Sequence, residues 1–126
     1  MGVVSSDEVV KQPSESILYY FAFRYTDSAG VAHGLLSSGE TISGVTGVTI
    51  QEKDPSGSAD CTIGTPTAIA AETTVDGRTM AANQAVQVRL SEGIDATDYL
   101  LQCTVTTSDS NTRAMDGVLK VRNGAL

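Results

Sequence analysis

The sequence contains no tryptophan, a single histidine and two cysteines, and it has no apolar run of the length that crosses a membrane. A transmembrane helix needs about 20 consecutive apolar residues. Gly-rich phosphate-binding patterns do not occur, and the histidine and the two separated cysteines lack the spacing of a zinc site. We therefore predict no cofactor, no metal and no membrane association.

Catalysis is not predicted either. His33 lies in a Gly- and Ser-rich stretch, and a catalytic histidine requires a nucleophile or an orienting carboxylate within hydrogen-bond reach. The carboxylates are scattered through turn-like segments, where such groups usually accept hydrogen bonds from their own backbone. The sequence thus favours a structural or binding protein over an enzyme, with no catalytic residue.

Basic side chains are also scarce. Lys and Arg number 8 against 15 Asp and Glu, which gives a formal net charge of −7. Phosphate contacts need clustered Lys and Arg, so we predict no nucleic-acid partner. An acidic surface instead keeps a protein soluble and lets it dock on basic patches of other proteins.

Cys61 and Cys103 both lie in apolar stretches. The first ten residues lack the charged and apolar regions of a secretory signal, so synthesis and folding in a cytoplasm are expected. In that reducing compartment the favoured interpretation is two buried free thiols. A disulfide stays open as the alternative, if the two Cα atoms approach within about 7 Å.

Residues 17–25 (ILYYFAFRY) form the most concentrated apolar run and predict a strand, because the run is short and rich in aromatic and β-branched residues. Ala22 and Arg24 share one parity. The aromatic side chains of the other parity would line the opposite face: Tyr19, Phe21, Phe23 and Tyr25. We interpret this stripe as core rather than as a sugar-stacking platform.

The middle of the chain is rich in turn residues. Residues 26–39 predict a loop with a short helical turn near 31–36, and residues 40–51 predict a strand pair or one bent strand. Gly44 and Gly47 would mark a bulge or a close contact there. The pair Asp76 and Gly77 predicts a hairpin between short strands at 73–75 and 78–80.

Apolar and polar residues alternate with period two in the last third, at 84–90, 99–107 and 112–122. This alternation is typical of strands with one buried and one wet face. The short polar connection at 108–111 predicts a hairpin. Six side chains are expected to share one interior: Val86, Val88, Leu101, Val105, Leu119 and Val121.

About seven short strands joined by turns predict an all-β fold, an antiparallel immunoglobulin-like β-sandwich spanning 17–126. Residues 1–16 read as a flexible N-terminal arm that becomes ordered against a partner. The predicted protein-interaction residues combine the apolar pairs of this arm with two polar positions beyond the first strand: Val3, Val4, Val9, Val10, Arg24 and His33.

Five short blocks follow one another along the chain: 36–42 (LSSGETI), 90–93 (LSEG), 97–99 (TDY), 103–108 (CTVTTS) and 119–122 (LKVR). In this order and spacing the sequence resembles a family of small virion proteins of tailed bacteriophages, described as fibre–tail adaptor or neck/tail structural proteins. The resemblance extends in blocks from the first predicted strand to the last.

The resemblance implies a non-enzymatic virion protein, an adaptor at the neck or tail that joins the connector to fibres or nozzle. It implies multiple copies on a symmetric assembly, formed in the host bacterial cytoplasm. Two alternatives stay open. A capsid decoration (cement) protein would bind the major capsid protein and be far more numerous per particle. A carbohydrate-binding β-sandwich would expose Tyr19 or Tyr25.

Overall fold

The computed structural model describes residues 2–4, 9–12, 15–52, 61–75, 77–93 and 97–122. Within these ranges the chain forms thirteen strands and no helix, which confirms the all-β prediction and makes the count of seven too low. The strands are β1 Gly2–Val4, β2 Val9–Lys11, β3 Ser16–Ala22, β4 Arg24–Thr26, β5 Ala32–Gly34, β6 Ile42–Glu52, β7 Cys61–Ile63, β8 Thr67–Ala68, β9 Thr73–Val75, β10 Arg78–Met80, β11 Ala85–Glu92, β12 Thr97–Thr107 and β13 Thr112–Val121.

Three sheets share these strands. The first has the order β1-β3-β11-β7, with β8 also pairing β11; the second has the order β2-β13-β12-β6; the third has the order β5-β4-β10-β9. Nearly all pairs are antiparallel. The exceptions are the two short N-terminal strands, since β1 runs parallel to β3 and β2 runs parallel to β13.

The main core lies where the first and second sheets contribute their alternating apolar side chains to one cluster. All six side chains predicted to share an interior are at most 1% exposed: Val86, Val88, Leu101, Val105, Leu119 and Val121. Period-two patterning therefore identified this core correctly. The hairpin predicted at 108–111 is confirmed as well, with β12 and β13 paired along their whole length.

Strand β3 is buried on both faces. Tyr19 and Phe21 belong to the main core, while Tyr20 and Ala22 join a second cluster with Met80 of the third sheet. This double burial explains why the sequence there is continuously apolar instead of alternating. The core interpretation of the aromatic stripe is confirmed for Tyr19, Phe21 and Phe23, each 0% exposed. Tyr25 is only half-buried, because it belongs to β4 in the third sheet.

The predicted helical turn near 31–36 is wrong, because Ala32–Gly34 is strand β5, paired antiparallel with β4. The bent strand predicted at 40–51 is confirmed as β6. Its pairing with β12 shifts register twice, and the shifts lie beside Gly47 and Gly44. The Asp76–Gly77 hairpin is confirmed by the pairing of β9 with β10; Asp76 itself lies outside the described residues.

The division into an arm (1–16) and a domain (17–126) stays a prediction. Two pieces of the arm are nevertheless paired into the sheets: Gly2–Val4 with 18–20 of β3, and Val9–Lys11 with 119–121 of β13. The Lys11 side chain is 0% exposed, and its Nζ donates to the Gln12 carbonyl at 2.7 Å. Burial lowers the pKa of this ammonium. Backbone pairing to two different sheets thus places this segment on the domain.

Both cysteines are free and buried, as the favoured interpretation predicted. Burial raises the pKa of Cys61, and it raises that of Cys103 to about 12. A thiol with so high a pKa is almost entirely protonated at neutral pH, and the thiolate is the reactive form. Cys103 therefore behaves as a small apolar core residue.

The turn between β12 and β13 supplies a first testable prediction. Ser110 has a φ of 63°, a region that costs a residue with a side chain about 1 kcal/mol or more. We expect Ser110→Gly to raise the free energy of unfolding by about 0.5–1 kcal/mol, measured by urea denaturation. Asp109→Gly is the control, because Asp109 has an ordinary negative φ and should lose stability; equal gains in both variants would contradict the explanation.

Candidate interaction surface

Strands β4 and β5 and the segment after them form a surface that contains two of the predicted interaction residues. We call residues 24–36 the β4–β5 surface. Arg24 pairs with Gly34 and Tyr25 pairs with His33, so the antiparallel register brings Arg24 and His33 to adjacent strands. The sequence offered no direct signal for this pairing, because residues 26–36 read as a loop.

Asp27 organises the turn between the two strands. Its Oδ1 accepts hydrogen bonds from the backbone N–H groups of Ala29 and Val31, both at 2.9 Å. Its Oδ2 lies 2.8 Å from His33 Nε2. The hydrogen bond from His33, followed by that from Val31, lowers the pKa of the Asp27 carboxyl. One carboxylate therefore fixes the shape of the whole turn, as aspartate does in many tight turns.

His33 is one part of a small aromatic and cationic cluster. Its imidazole stacks on the Tyr25 ring, with centroids 5.2 Å apart and an interplanar angle of 26°. The guanidinium carbon of Arg78, from β10, lies 5.2 Å from the centroid of the same ring. The His33 side chain remains 45% exposed. The cluster gives the hairpin lateral support from the neighbouring strand and leaves the imidazole accessible.

Arg24 and the Phe23 carbonyl hold the other end of the hairpin. The Phe23 oxygen accepts hydrogen bonds from the N–H groups of Leu35 and Leu36, and Arg24 Nη1 donates to the Leu36 carbonyl at 3.0 Å. Gly34 has a φ of +128°, and a Cβ there would lie 2.2 Å from the Phe23 oxygen. Only glycine allows this approach. The Arg24 side chain is thus half-buried and hydrogen-bonded to the backbone, and it is not a freely exposed charge.

Two large apolar side chains of the β4–β5 surface face solvent. Val31 is 51% exposed and Leu35 is 44% exposed, and they flank strand β5, whose three residues are exposed as well. The adjacent Leu36 is buried in the main core. The backbone around Val31 and Leu35 is therefore fixed while both side chains remain outside the core.

Glu40, which sequence reasoning missed, anchors the segment that follows. It is 2% exposed. Its Oε2 accepts from Thr107 Oγ1 at 2.5 Å and from Asn111 Nδ2 at 3.1 Å, and its Oε1 accepts from the Ser37 N–H at 3.0 Å. These bonds, led by that from Thr107, lower the pKa of Glu40 to about 2. The carboxylate thus ties residues 37–40 to the β12–β13 turn.

The other predicted interaction residues lie elsewhere. Val3, Val4 and Val9 have described backbones in β1 and β2, but their side chains lie outside the described residues. Val10 is 47% exposed and pairs with Lys120 at the edge of the second sheet. The structure therefore places Arg24 and His33 on paired strands of the third sheet, with side chains on opposite faces, and places the N-terminal valines in the other two sheets.

His33 Nε2 contacts the Asp27 carboxylate, and among the described residues no hydroxyl or thiol side chain hydrogen-bonds to the imidazole. The described part of the chain also contains no group of three or more His, Cys, Asp or Glu placed to hold a metal ion. No helix long and apolar enough to span a membrane occurs in those same ranges.

Comparison of the chain with protein-family models and with curated proteins finds no match.

Proposed function

We propose that this chain is a non-enzymatic structural protein of a tailed-bacteriophage virion, an adaptor at the neck or tail that joins the connector to fibres or nozzle through the β4–β5 surface. The sequence resemblance supports the assignment to a bacteriophage virion. The observation that carries the docking role is the exposure of Val31 and Leu35 on backbone that Asp27, Arg24 and the Phe23 carbonyl hold in place.

The energetic reason is preorganisation. Binding orders flexible loops and side chains at a cost of about 0.5–1.5 kcal/mol for each immobilised side chain. A hairpin with its turn already hydrogen-bonded avoids most of that cost. Exposed apolar side chains contribute favourable free energy when a contact buries them. Repeated contacts on a symmetric particle would then turn a modest affinity into stable attachment.

The immunoglobulin-like assignment belongs to the same proposal. The order β1-β3-β11-β7 matches the A-B-E-D sheet of such a domain, and β13-β12-β6 matches the G-F-C sheet. On this assignment seven strands are the framework. The third sheet is built from two additions: β4 and β5 lie between the second and third framework strands, and β9 and β10 lie between the fourth and fifth. The one departure is that β1 runs parallel to β3.

The alternative, a capsid decoration protein, would use the same β4–β5 surface to bind the capsid shell instead of the neck or tail. Copy number in purified particles separates the two, since about a dozen copies suits the neck and hundreds suit the shell. A carbohydrate-binding module has less support, because Tyr19 is 0% exposed and Tyr25 is stacked against His33.

The test is a complementation experiment in which particles are formed with variant protein. Val31→Asp with Leu35→Asp should lower the amount of protein on purified particles about tenfold or more, because a charge at the centre of an apolar contact is strongly unfavourable. The melting temperature should stay unchanged, because both side chains are exposed.

Val10→Asp is the comparison variant, since it places one carboxylate at a similarly exposed valine on another edge. Normal incorporation of the Val31/Leu35 variant would refute docking through the β4–β5 surface. If Val10→Asp alone lost incorporation, the N-terminal edge would be the docking site instead.

A further inference from the structure

We propose a second contact surface, the outer edge of β13 at residues 112–118, which receives one extended segment of a neighbouring virion protein as an added β-strand. This inference rests on the proposed function only for the source of the segment. The surface itself follows from backbone directions in the second sheet.

The backbone groups of β13 alternate between two sides. The Thr107 N–H donates to the Asn111 carbonyl at 2.9 Å, and the Cα register then runs without a shift from Thr106 opposite Thr112 to Thr97 opposite Val121. Odd-numbered residues of β13 therefore hydrogen-bond to β12. At the far end the Arg122 N–H donates to the Lys11 carbonyl of β2 at 2.9 Å. The backbone N–H and C=O groups of even-numbered residues therefore point to the outer edge.

Among the described residues, strand β2 covers the end of that edge. It pairs with 119–121, and no strand in the described ranges pairs with the outer side of 112–118. The N–H and C=O groups of four residues are directed there: Thr112, Ala114, Asp116 and Val118. The first three of these residues are exposed. Such a row of backbone groups is a ready template for an additional strand.

Two observations favour an extended polypeptide as the occupant. The edge already accepts a strand, since β2 occupies its continuation at 119–121. Met115 is only partly buried at the margin of the main core. An added strand with an apolar side chain near Met115 fits this edge, in the manner of β-augmentation.

A proline at an outward-facing position tests the backbone contact. Ala114→Pro removes an N–H that points to the edge and leaves the β12 hydrogen bonds of Arg113 and Met115 in place; proline is tolerated at such edge positions. The variant should fold and lose at least about tenfold in amount on particles. Ala114→Thr keeps the N–H and should be incorporated normally. Equal incorporation of both variants would overturn the proposal.

Amide hydrogen exchange tests the same surface without a mutation. In the dilute free protein the amides of Ala114, Asp116 and Val118 should exchange quickly, while those of Met115 and Gly117 are protected by β12. On purified particles the three fast amides should slow by about tenfold or more. Protein that is present on particles with these amides still fast would overturn this inference and leave the proposed function intact.

Two other outcomes would also overturn it. Protection of Ala114 and Asp116 in the dilute free protein would mean that the chain's own residues cover the edge. Protection that grows with the concentration of free protein would identify a second copy as the occupant. Absence of the protein from particles would instead refute the proposed function, so the two failures are distinguishable.

Discussion

Replacing Gly117 with alanine is expected to lower the free energy of unfolding by about 2–3 kcal/mol, the upper part of the range for overpacked cores. Gly117 is a buried residue of β13 on the face that meets the first sheet. A Cβ at this position would lie 2.1 Å from the Tyr19 hydroxyl oxygen and 3.1 Å from its Cζ. Tyr19 is 0% exposed and packs edge-on against Phe21, with ring centroids 4.9 Å apart, so any shift of its ring disturbs the packing of the main core.

Two further variants make this result specific. Gly64→Ala is the control, because a Cβ there meets its nearest atom at 3.4 Å, an ordinary contact; its stability should be unchanged or slightly higher. Combining Gly117→Ala with Tyr19→Phe removes the closest atom of the clash. The double variant should therefore be less destabilised than the sum of the two single changes, measured by urea denaturation. Strict additivity would show that the two residues do not compete for the same space.

The parts of the fold that the sequence predicts well are those with strict period two. In β12 the alternation from Tyr99 to Val105 places one parity in the core, and the structure follows it without exception. β13 behaves in the same way over Leu119 and Val121. A strand with one buried face requires this alternation, so the alternation in the sequence predicts which side chains are buried.

The parts that the sequence does not predict depend on contacts between distant segments. Residues 26–36 are rich in Gly, Ser and Asp and read as a loop, yet Asp27 and Gly34 help fold them into a hairpin with β4. Glu40 reads as an exposed acid, and its burial depends on Thr107 and Asn111, 67 and 71 positions away. A single sequence contains no signal for such pairings.

The N-terminal segment illustrates the same limit. Its isolated apolar pairs suggest an arm with little to bury, and that reasoning considers only side chains. In the structure the pairing is made by backbone groups, which β1 and β2 share with β3 and β13. Backbone pairing leaves no residue-specific trace in the sequence, so the attachment of this segment to two sheets was not foreseeable.

Glu40→Gln is expected to reduce the acid sensitivity of this protein between about pH 5 and 2. The hydrogen bonds to the Glu40 carboxylate lower its pKa from 4.5 to about 2 in the folded state. A carboxyl whose pKa is lower when folded contributes stability that is fully present above its unfolded pKa. That contribution is lost as the pH falls through the folded value. The wild-type free energy of unfolding should therefore decline over this interval, and the glutamine variant, already less stable at pH 7, should decline less.

The quantity to measure is the difference in the free energy of unfolding between the wild type and Glu40→Gln, by urea denaturation at pH 7, 4 and 2.5. We call this difference the gap. It should narrow steadily as the pH falls, because protonation removes from the wild type what the substitution removes at every pH. Thr107→Val deletes the strongest of the hydrogen bonds and should show an intermediate slope. Glu72→Gln changes an exposed position before β9, and its free energy of unfolding should vary with pH as that of the wild type does. A gap between wild type and Glu40→Gln that stays constant from pH 7 to 2.5 would mean that the pKa of Glu40 is the same in the folded and the unfolded protein, and its hydrogen bonds to Thr107 and Asn111 would then not favour the ionised form.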